Sequence, residues 1–153
     1  MLDSIVAALG IYAGTLVVGV LSGLVPIVNG EVFLVAMVLL TGQLWPAIAL
    51  ALLVAIGQMI AKVILWKMAS RATEAGKDTR LGKKIAQART KIEKWKEKPL
   101  AVTFISALTG LPPFYIVTLL AAALGVRFRT FVILGIIGRV VRFVVIAIIA
   151  VRV

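Results

Sequence analysis

The chain of 153 residues is 62% apolar and only 15% charged, with a net charge of +11. A soluble fold of this length could not cover so much apolar surface, so lipid is the expected solvent for most of it. No nucleic-acid motif accompanies the positive charge. Histidine and cysteine are absent, which excludes thiol chemistry, thiolate metal sites and the usual proton shuttle. We therefore expect a membrane protein that is not an enzyme, with no catalytic residue, metal, cofactor or nucleic-acid partner.

Residues 4–23 open the first half of the chain, 1–66, with an apolar segment long enough to cross a bilayer, which takes about twenty residues. Residues 31–42 are apolar again, but twelve residues of helix rise only about 18 Å. Residues 46–66 are long enough for a full span. The break between the first two segments contains three residues that disfavour continuous helix: Pro26, Asn29 and Gly30.

The central segment, 67–98, holds eleven of the seventeen basic residues. The positive-inside rule places such a segment in the cytoplasm of a multi-pass plasma-membrane protein. Its apolar residues recur at spacings of 4, 3, 4 and 3, at Leu81, Ile85, Ala88, Ile92 and Trp95. This pattern predicts a basic amphipathic helix that lies on the anionic inner leaflet. A solvated cytoplasmic hairpin is the alternative.

The second half, residues 99–153, repeats the order of the first. Residues 100–108 and 114–125 are short apolar pieces, and residues 130–151 form a full span. The break between the two short pieces contains Gly110, Pro112 and Pro113. Interrupted segments in corresponding positions of two halves indicate a transport site. The alternative is that the prolines only kink ordinary spans.

Two short apolar pieces can enter a membrane and return on one side as a re-entrant hairpin, provided that protein or a wet cavity surrounds the tip. Arg127 and Arg129 favour this arrangement, because a single kinked span across 99–126 would export both arginines. We therefore predict an all-α integral membrane protein with one domain, 1–153, built from two inverted repeats. Each repeat is a re-entrant helical hairpin followed by a transmembrane helix, and the basic cytoplasmic amphipathic helix joins them.

Four charged side chains and one amide fall within the apolar segments, where burial in lipid is costly and indicates function. Glu31 is a candidate cation or proton site at the first hairpin tip, or it stabilises the helix dipole. Gln58 and Lys62 lie four residues apart on one helical face, although Lys62 could snorkel. Arg139 and Arg142 lie about 15–20 Å into the last helix. Their guanidinium groups suit bidentate recognition of phosphate.

The face that carries Arg139 and Arg142 is expected to meet Glu31 in a cavity. A buried ion pair with a purely structural role is the alternative. Two arginines against one glutamate leave a surplus positive charge, and this surplus favours an anionic ligand.

Four stretches of the sequence resemble the DedA/VTT-domain superfamily, whose eukaryotic relatives were labelled SNARE-associated, and its short bacterial branch in particular. These stretches are VPIVNGEVFL (25–34), GQMIAK (57–62), GLPPFYIVTLLAAALG (110–125) and GRVVRF (138–143). The resemblance implies two re-entrant hairpins that meet across a pseudo-two-fold axis, with Glu31 and the membrane arginines as functional residues. It also implies ion-coupled transport of polyprenyl phosphate or phospholipid between leaflets. Typical members carry arginines within the second hairpin, and residues 104–113 have none.

The predicted function is therefore transport of an anionic, phosphate-bearing lipid between leaflets, as a flippase or scramblase. Arg139, Arg142, Gln58 and Lys62 would bind the substrate, and Glu31 would couple a proton or cation. A small-solute or drug exporter is one alternative, since small multidrug-export proteins share a similar outline, and a non-transporting membrane scaffold is another. The expected partners are membrane lipids with anionic headgroups and a second copy of the chain.

Overall fold

The computed structural model of the chain describes residues 2–74, 78, 80, 83–84, 86–87 and 98–153. Within these residues the structure is helical and contains no strand. The helices are α1 (Leu2–Leu24), α2 (Gly30–Thr41), α3 (Leu44–Glu74), α4 (Pro99–Thr109), α5 (Phe114–Ala123) and α6 (Phe128–Arg152). The predicted amphipathic helix falls outside the described residues, because none of its five apolar positions is among them: Leu81, Ile85, Ala88, Ile92 and Trp95.

Among the described helices, α1, α3 and α6 are long and apolar enough to cross a membrane. The three others are apolar but shorter, at 12, 11 and 10 residues. An all-helical chain of this kind satisfies its backbone hydrogen bonds within each segment, as lipid requires. These three helices correspond to the segments 4–23, 46–66 and 130–151, each of which the sequence analysis found long enough to cross a bilayer.

Glycines in the left-handed conformation end two of the short helices. Gly42 follows α2 with φ +62°, and its N–H donates to the Val38 carbonyl. Gly110 follows α4 with φ +79°, and its N–H donates to the Ser106 carbonyl. Residues without a Cβ adopt this conformation at little cost, which makes glycine the usual residue at a helix C-cap.

The third helix continues further than the sequence analysis expected. The predicted span ended near Trp66 and Lys67, at the start of the 67–98 segment, whereas α3 runs to Glu74. Residues 67–74 contain neither glycine nor proline, so nothing local breaks the helix there. Ala69 also packs against α5 and is fully buried. The first turns of the predicted loop therefore belong to α3.

The described chain forms two compact units. Unit 1 comprises Met1–Ala61 and Val140–Val153, and unit 2 comprises Lys62–Arg139. These units group residues by their packing, so the repeat boundaries 1–66 and 99–153 stay predictions.

The core of unit 1 is built by α2, by α3 and by the part of α6 within the unit. Its buried residues are Leu34, Val38, Ala47, Leu50, Ala51, Val54, Ala55, Phe143, Ala147 and Ala150. Small residues let α1 approach α3, since a Cβ on Gly57 would lie 2.6 Å from the Leu16 carbonyl oxygen. A Cβ on Gly23 would lie 3.0 Å from the Gln58 carbonyl oxygen. The end of α1 therefore lies beside the middle of α3.

In unit 2, α4 and α5 contact each other and the neighbouring parts of α3 and α6. A Cβ on Gly138 would lie 2.7 Å from the Ala107 Cβ, which brings the end of α4 close to the middle of α6. At the start of α6, the Phe128 ring lies 5.0 Å from the Trp66 ring and 5.7 Å from the Lys67 Nζ. The first turn of α6 therefore lies beside the part of α3 that leads into the basic segment.

Candidate functional site

The start of α2 presents Glu31 at the tip between α1 and α2. Asn29 caps this helix, because its side-chain oxygen accepts hydrogen bonds from the N–H groups of Glu31 at 3.0 Å and Val32 at 3.3 Å. An asparagine in extended conformation is one of the preferred N-caps. A carboxylate in the first turn is also stabilised by the positive end of the helix dipole. The local sequence therefore holds Glu31 at a defined position.

Within unit 1, Arg142 and Glu31 form an ion pair. The Arg142 Nη2 donates to the Glu31 Oε1. Their side chains are 18% and 37% exposed, so the pair is partly buried within the protein. The other terminal nitrogen of Arg142, Nη1, is buried and has no hydrogen-bond partner among the described residues. Arg142 therefore retains donor capacity beyond its contact with Glu31.

Gln58 and Ser22 lie directly behind the start of α2. Gln58 is buried, and its Nε2 donates to the Ser22 Oγ at 2.9 Å. Gly30 fits against both side chains, because a Cβ there would lie 2.8 Å from the Gln58 Nε2 and 2.7 Å from the Ser22 Oγ. Position 30 therefore requires glycine, because the Ser22 and Gln58 side chains lie too close to the backbone to leave room for a Cβ. The contact fixes the start of α2, and with it the backbone of Glu31.

Unit 2 contains a second group of charged residues, formed by Lys62 of α3 and Arg139 of α6. Both side chains are buried, with exposed fractions of 5% and 8%. Among the described residues they are the buried charged side chains, and no carboxylate is buried with them.

Two consecutive aromatic residues at the start of α5 lie against these cations. The Arg139 guanidinium lies 4.7 Å from the centre of the Phe114 ring, and the Lys62 Nζ lies 5.4 Å from the centre of the Tyr115 ring. Such contacts stabilise cations, and more strongly where water is excluded. Phe114 itself stacks on Phe131 at 5.9 Å, and both rings are buried. The aromatic residues therefore limit where the two cations can point.

The predicted site residues fall into these two groups. Glu31, Arg142 and Gln58 belong to unit 1, where Arg142 meets Glu31, and Lys62 and Arg139 belong to unit 2. The predicted hairpin breaks lie in the two connections, with Pro26 and Asn29 before α2 and Pro112 and Pro113 before α5. Gly30 begins α2, and Gly110 ends α4.

Sequence reasoning did not single out Ser22, Phe114 or Tyr115. The two aromatic residues directly follow the second break and lie in the stretch 110–125, so their position was a usable signal. Ser22 lies just before the first break and carried no comparable signal. The described residues contain no group of three or more carboxylates that could hold a metal ion.

A chain whose described residues form only helices, three of them apolar and long enough to cross a membrane, indicates an integral membrane protein of the helical class. The family model of the VTT domain matches residues 25–151. The chain therefore belongs to the VTT-domain family, as its sequence motifs indicated. No curated protein and no solved structure gives a significant match to the chain.

Proposed function

We propose that this protein moves an anionic, phosphate-bearing lipid between the leaflets of the plasma membrane. Lys62 and Arg139 bind the anionic headgroup, and Glu31 couples the movement to a proton or a cation. The basic segment 67–98 lies in the cytoplasm, and a second copy of the chain helps to cover the short helices.

The concentration of positive charge inside unit 2 carries this proposal. Lys62 and Arg139 are almost fully buried and belong to the same unit. A phosphate group carries the opposite charge, and the fork of arginine donors matches its oxygens. The aromatic rings of Phe114 and Tyr115 lie against the two cations and limit where they can point.

The Glu31–Arg142 ion pair suits a coupling step. A proton or cation that neutralises the Glu31 carboxylate removes the charge that holds Arg142. Arg142 already has a buried donor, Nη1, without a hydrogen-bond partner among the described residues. Once Glu31 is neutral, Arg142 can therefore offer more donors to an anionic group. Gln58 keeps the start of α2 in place during this change, through its hydrogen bond to Ser22.

The positions of the two connections support re-entrant hairpins. In unit 1 the end of α1 lies beside Gln58, near the middle of α3. In unit 2 the end of α4 lies beside Gly138, near the middle of α6. A turn that lies beside the middle of a spanning helix lies at membrane depth. Backbone groups at such a depth are tolerated only where protein or water surrounds them.

A leaflet-exchange assay with purified protein in vesicles tests this function. Lipids with phosphate-bearing anionic, zwitterionic and uncharged headgroups are compared at several pH values. Arg139→Gln and Lys62→Gln are expected to slow exchange of the anionic lipid about ten- to a hundredfold, the equivalent of one charged hydrogen bond. Glu31→Gln is expected to remove the dependence of exchange on pH. Arg152→Gln, an exposed arginine at the end of α6, is the matched control and should exchange like the wild type.

The same assay separates the alternatives. A small-solute or drug exporter would transport water-soluble cargo and leave labelled lipids in their leaflet. A scaffold would show no exchange with any headgroup, and Arg139→Gln would then alter only stability. Equal exchange in wild type and Arg139→Gln, with both proteins folded, would refute the proposed role of the buried cations.

A further inference from the structure

Unit 1 contains a cavity of about 250 Å³ that lies away from the Glu31–Arg142 pair. Its walls come from the first turns of α1, the end of α2 and the start of α3. Thr41 and Glu31 stand ten residues apart on α2, which corresponds to about 15 Å of helix. Its lining includes the apolar residues Ala8, Ile11 and Leu50 and the polar residues Tyr12, Thr41 and Gln43.

The chemistry of this lining suits an uncharged group with acceptor oxygens. No residue that lines the cavity is charged. The Tyr12 hydroxyl and the Gln43 amide can both donate hydrogen bonds. The Thr41 hydroxyl donates to the Val38 carbonyl at 3.0 Å, so its oxygen remains as an acceptor. Binding pockets commonly combine an apolar wall with a few such polar groups.

The surroundings of the cavity indicate its depth in the membrane. Trp45 follows Gln43 by two residues and is 80% exposed. Exposed tryptophans of membrane proteins concentrate at the boundary between hydrocarbon and water. Leu40, just before Thr41, is equally exposed, and its apolar side chain suits contact with hydrocarbon. An exposed tryptophan beside an exposed leucine favours a position near that boundary, where the glycerol and ester groups of membrane lipids are found.

We propose that this cavity binds the uncharged diacylglycerol portion of an ester-linked membrane lipid. The ester carbonyls accept hydrogen bonds from Tyr12 and Gln43, and the first methylene groups of the chains contact Ile11 and Leu50. The volume is below the 300–1,000 Å³ of pockets that enclose a whole small molecule. It is sufficient for the glycerol–ester region, while the remaining chain stays in the bilayer. This site does not depend on the proposed transport function.

Thermal unfolding of the purified full chain in detergent tests the proposal, with soluble dihexanoylglycerol as the probe. At a hundredfold excess over its Kd, the probe should raise the Tm by about 5 °C or more. Dihexylglycerol, the matching ether without carbonyls, should give a clearly smaller rise. Ala8→Phe fills the cavity and should abolish the rise. Ala13→Phe places the same ring on an exposed part of α1 outside the lining and should preserve it.

Tyr12→Phe serves as a second variant, because it removes one hydrogen-bond donor and keeps the aromatic ring. It should reduce the difference in Tm rise between the ester and the ether. Glu31→Gln should leave the rise unchanged. No rise in Tm in the wild type, equal rises for ester and ether, or an undiminished rise in Ala8→Phe would each overturn the proposal.

Dihexanoyl phosphatidylcholine distinguishes the two lipids that carry a diacylglycerol portion, a phospholipid of the bilayer and free diacylglycerol. A rise in Tm with this phospholipid supports a bilayer phospholipid as the ligand. A rise in Tm with dihexanoylglycerol alone supports free diacylglycerol.

Discussion

The ion pair between Glu31 and Arg142 joins residues that lie 111 positions apart in the chain. Each partner lies on a different helix, and the pair connects the start of α2 to α6 within unit 1. An arginine that loses its carboxylate in such a place retains a desolvated charge. Removing one partner should therefore lower the free energy of unfolding more than removing both partners does.

A double-mutant cycle measures this asymmetry. Glu31→Ala alone should destabilise the protein by about 1–3 kcal/mol, a range below that of fully buried pairs because both side chains are partly exposed. Adding Arg142→Ala should recover part of that loss, since no charge is then left without its partner. Unfolding in mixed micelles gives the free energies, and a cycle of Glu31→Ala with Arg152→Ala is the control. Additive effects within about 0.5 kcal/mol would show that the pair contributes no coupling energy.

Sequence reasoning anticipated the partners of Arg142 better than those of Arg139. Glu31 is the only carboxylate within the apolar segments, so electrostatics in lipid left Arg142 few other partners. The position of Phe114 and Tyr115 after the second break could have drawn attention to them, but nothing in the sequence pairs either ring with a particular cation. A cation over a ring depends on how two helices are packed, and no spacing along the chain encodes it.

At the scale of the helices, close packing of α1 on α3 determines where the first connection lies. A Cβ on Gly57 would lie 2.6 Å from the Leu16 carbonyl oxygen and 2.8 Å from the Val20 amide nitrogen. Both are backbone atoms, which cannot move aside without shifting a helix. Small residues at such crossings let helices approach in lipid, where no hydrophobic effect drives them together.

Gly57→Ala should therefore push α1 away from α3 and destabilise the protein by about 1–3 kcal/mol. Gly14→Ala is the matched control, because a Cβ on that α1 glycine meets nothing within 4 Å. Thermal unfolding of both variants in one detergent compares them directly. Equal stability of the two variants would contradict the close contact between the helices.

The lengths of the helices were predictable to different degrees. The predicted piece 31–42 agrees with α2 to within one residue at each end, and the structure shows why, since Asn29 and Gly42 cap the two ends of the apolar run. The end of α3 was predicted too early, because that boundary rested on an interfacial pair, Trp66 and Lys67. Such a pair indicates where hydrocarbon ends and does not stop a helix. The helix continues for another turn and beyond because Ala69 and Ala72 pack on α5.

For the molecule as a whole, the topology of residues 99–126 depends on the side of the membrane at which α6 begins. That side decides whether these residues form a re-entrant hairpin or a single span. Phe128 lies against Trp66 and Lys67, the part of α3 that leads into the basic segment. Arg127 and Arg129 are both exposed beside it. These charges favour the cytoplasmic side. If that is their side, residues 99–126 must enter the membrane and return.

Cysteine labelling tests this topology cleanly, because the wild-type chain contains no cysteine. A membrane-impermeant maleimide should label Lys84→Cys and Arg129→Cys from the same side, in vesicles of known orientation. Arg152→Cys should react from the opposite side, since the 25 residues of α6 rise about 37 Å and cross the hydrocarbon. Labelling of Arg129→Cys and Lys84→Cys from opposite sides would mean that residues 99–126 cross the membrane once. The two halves would then not be inverted, and the second connection would only kink a span.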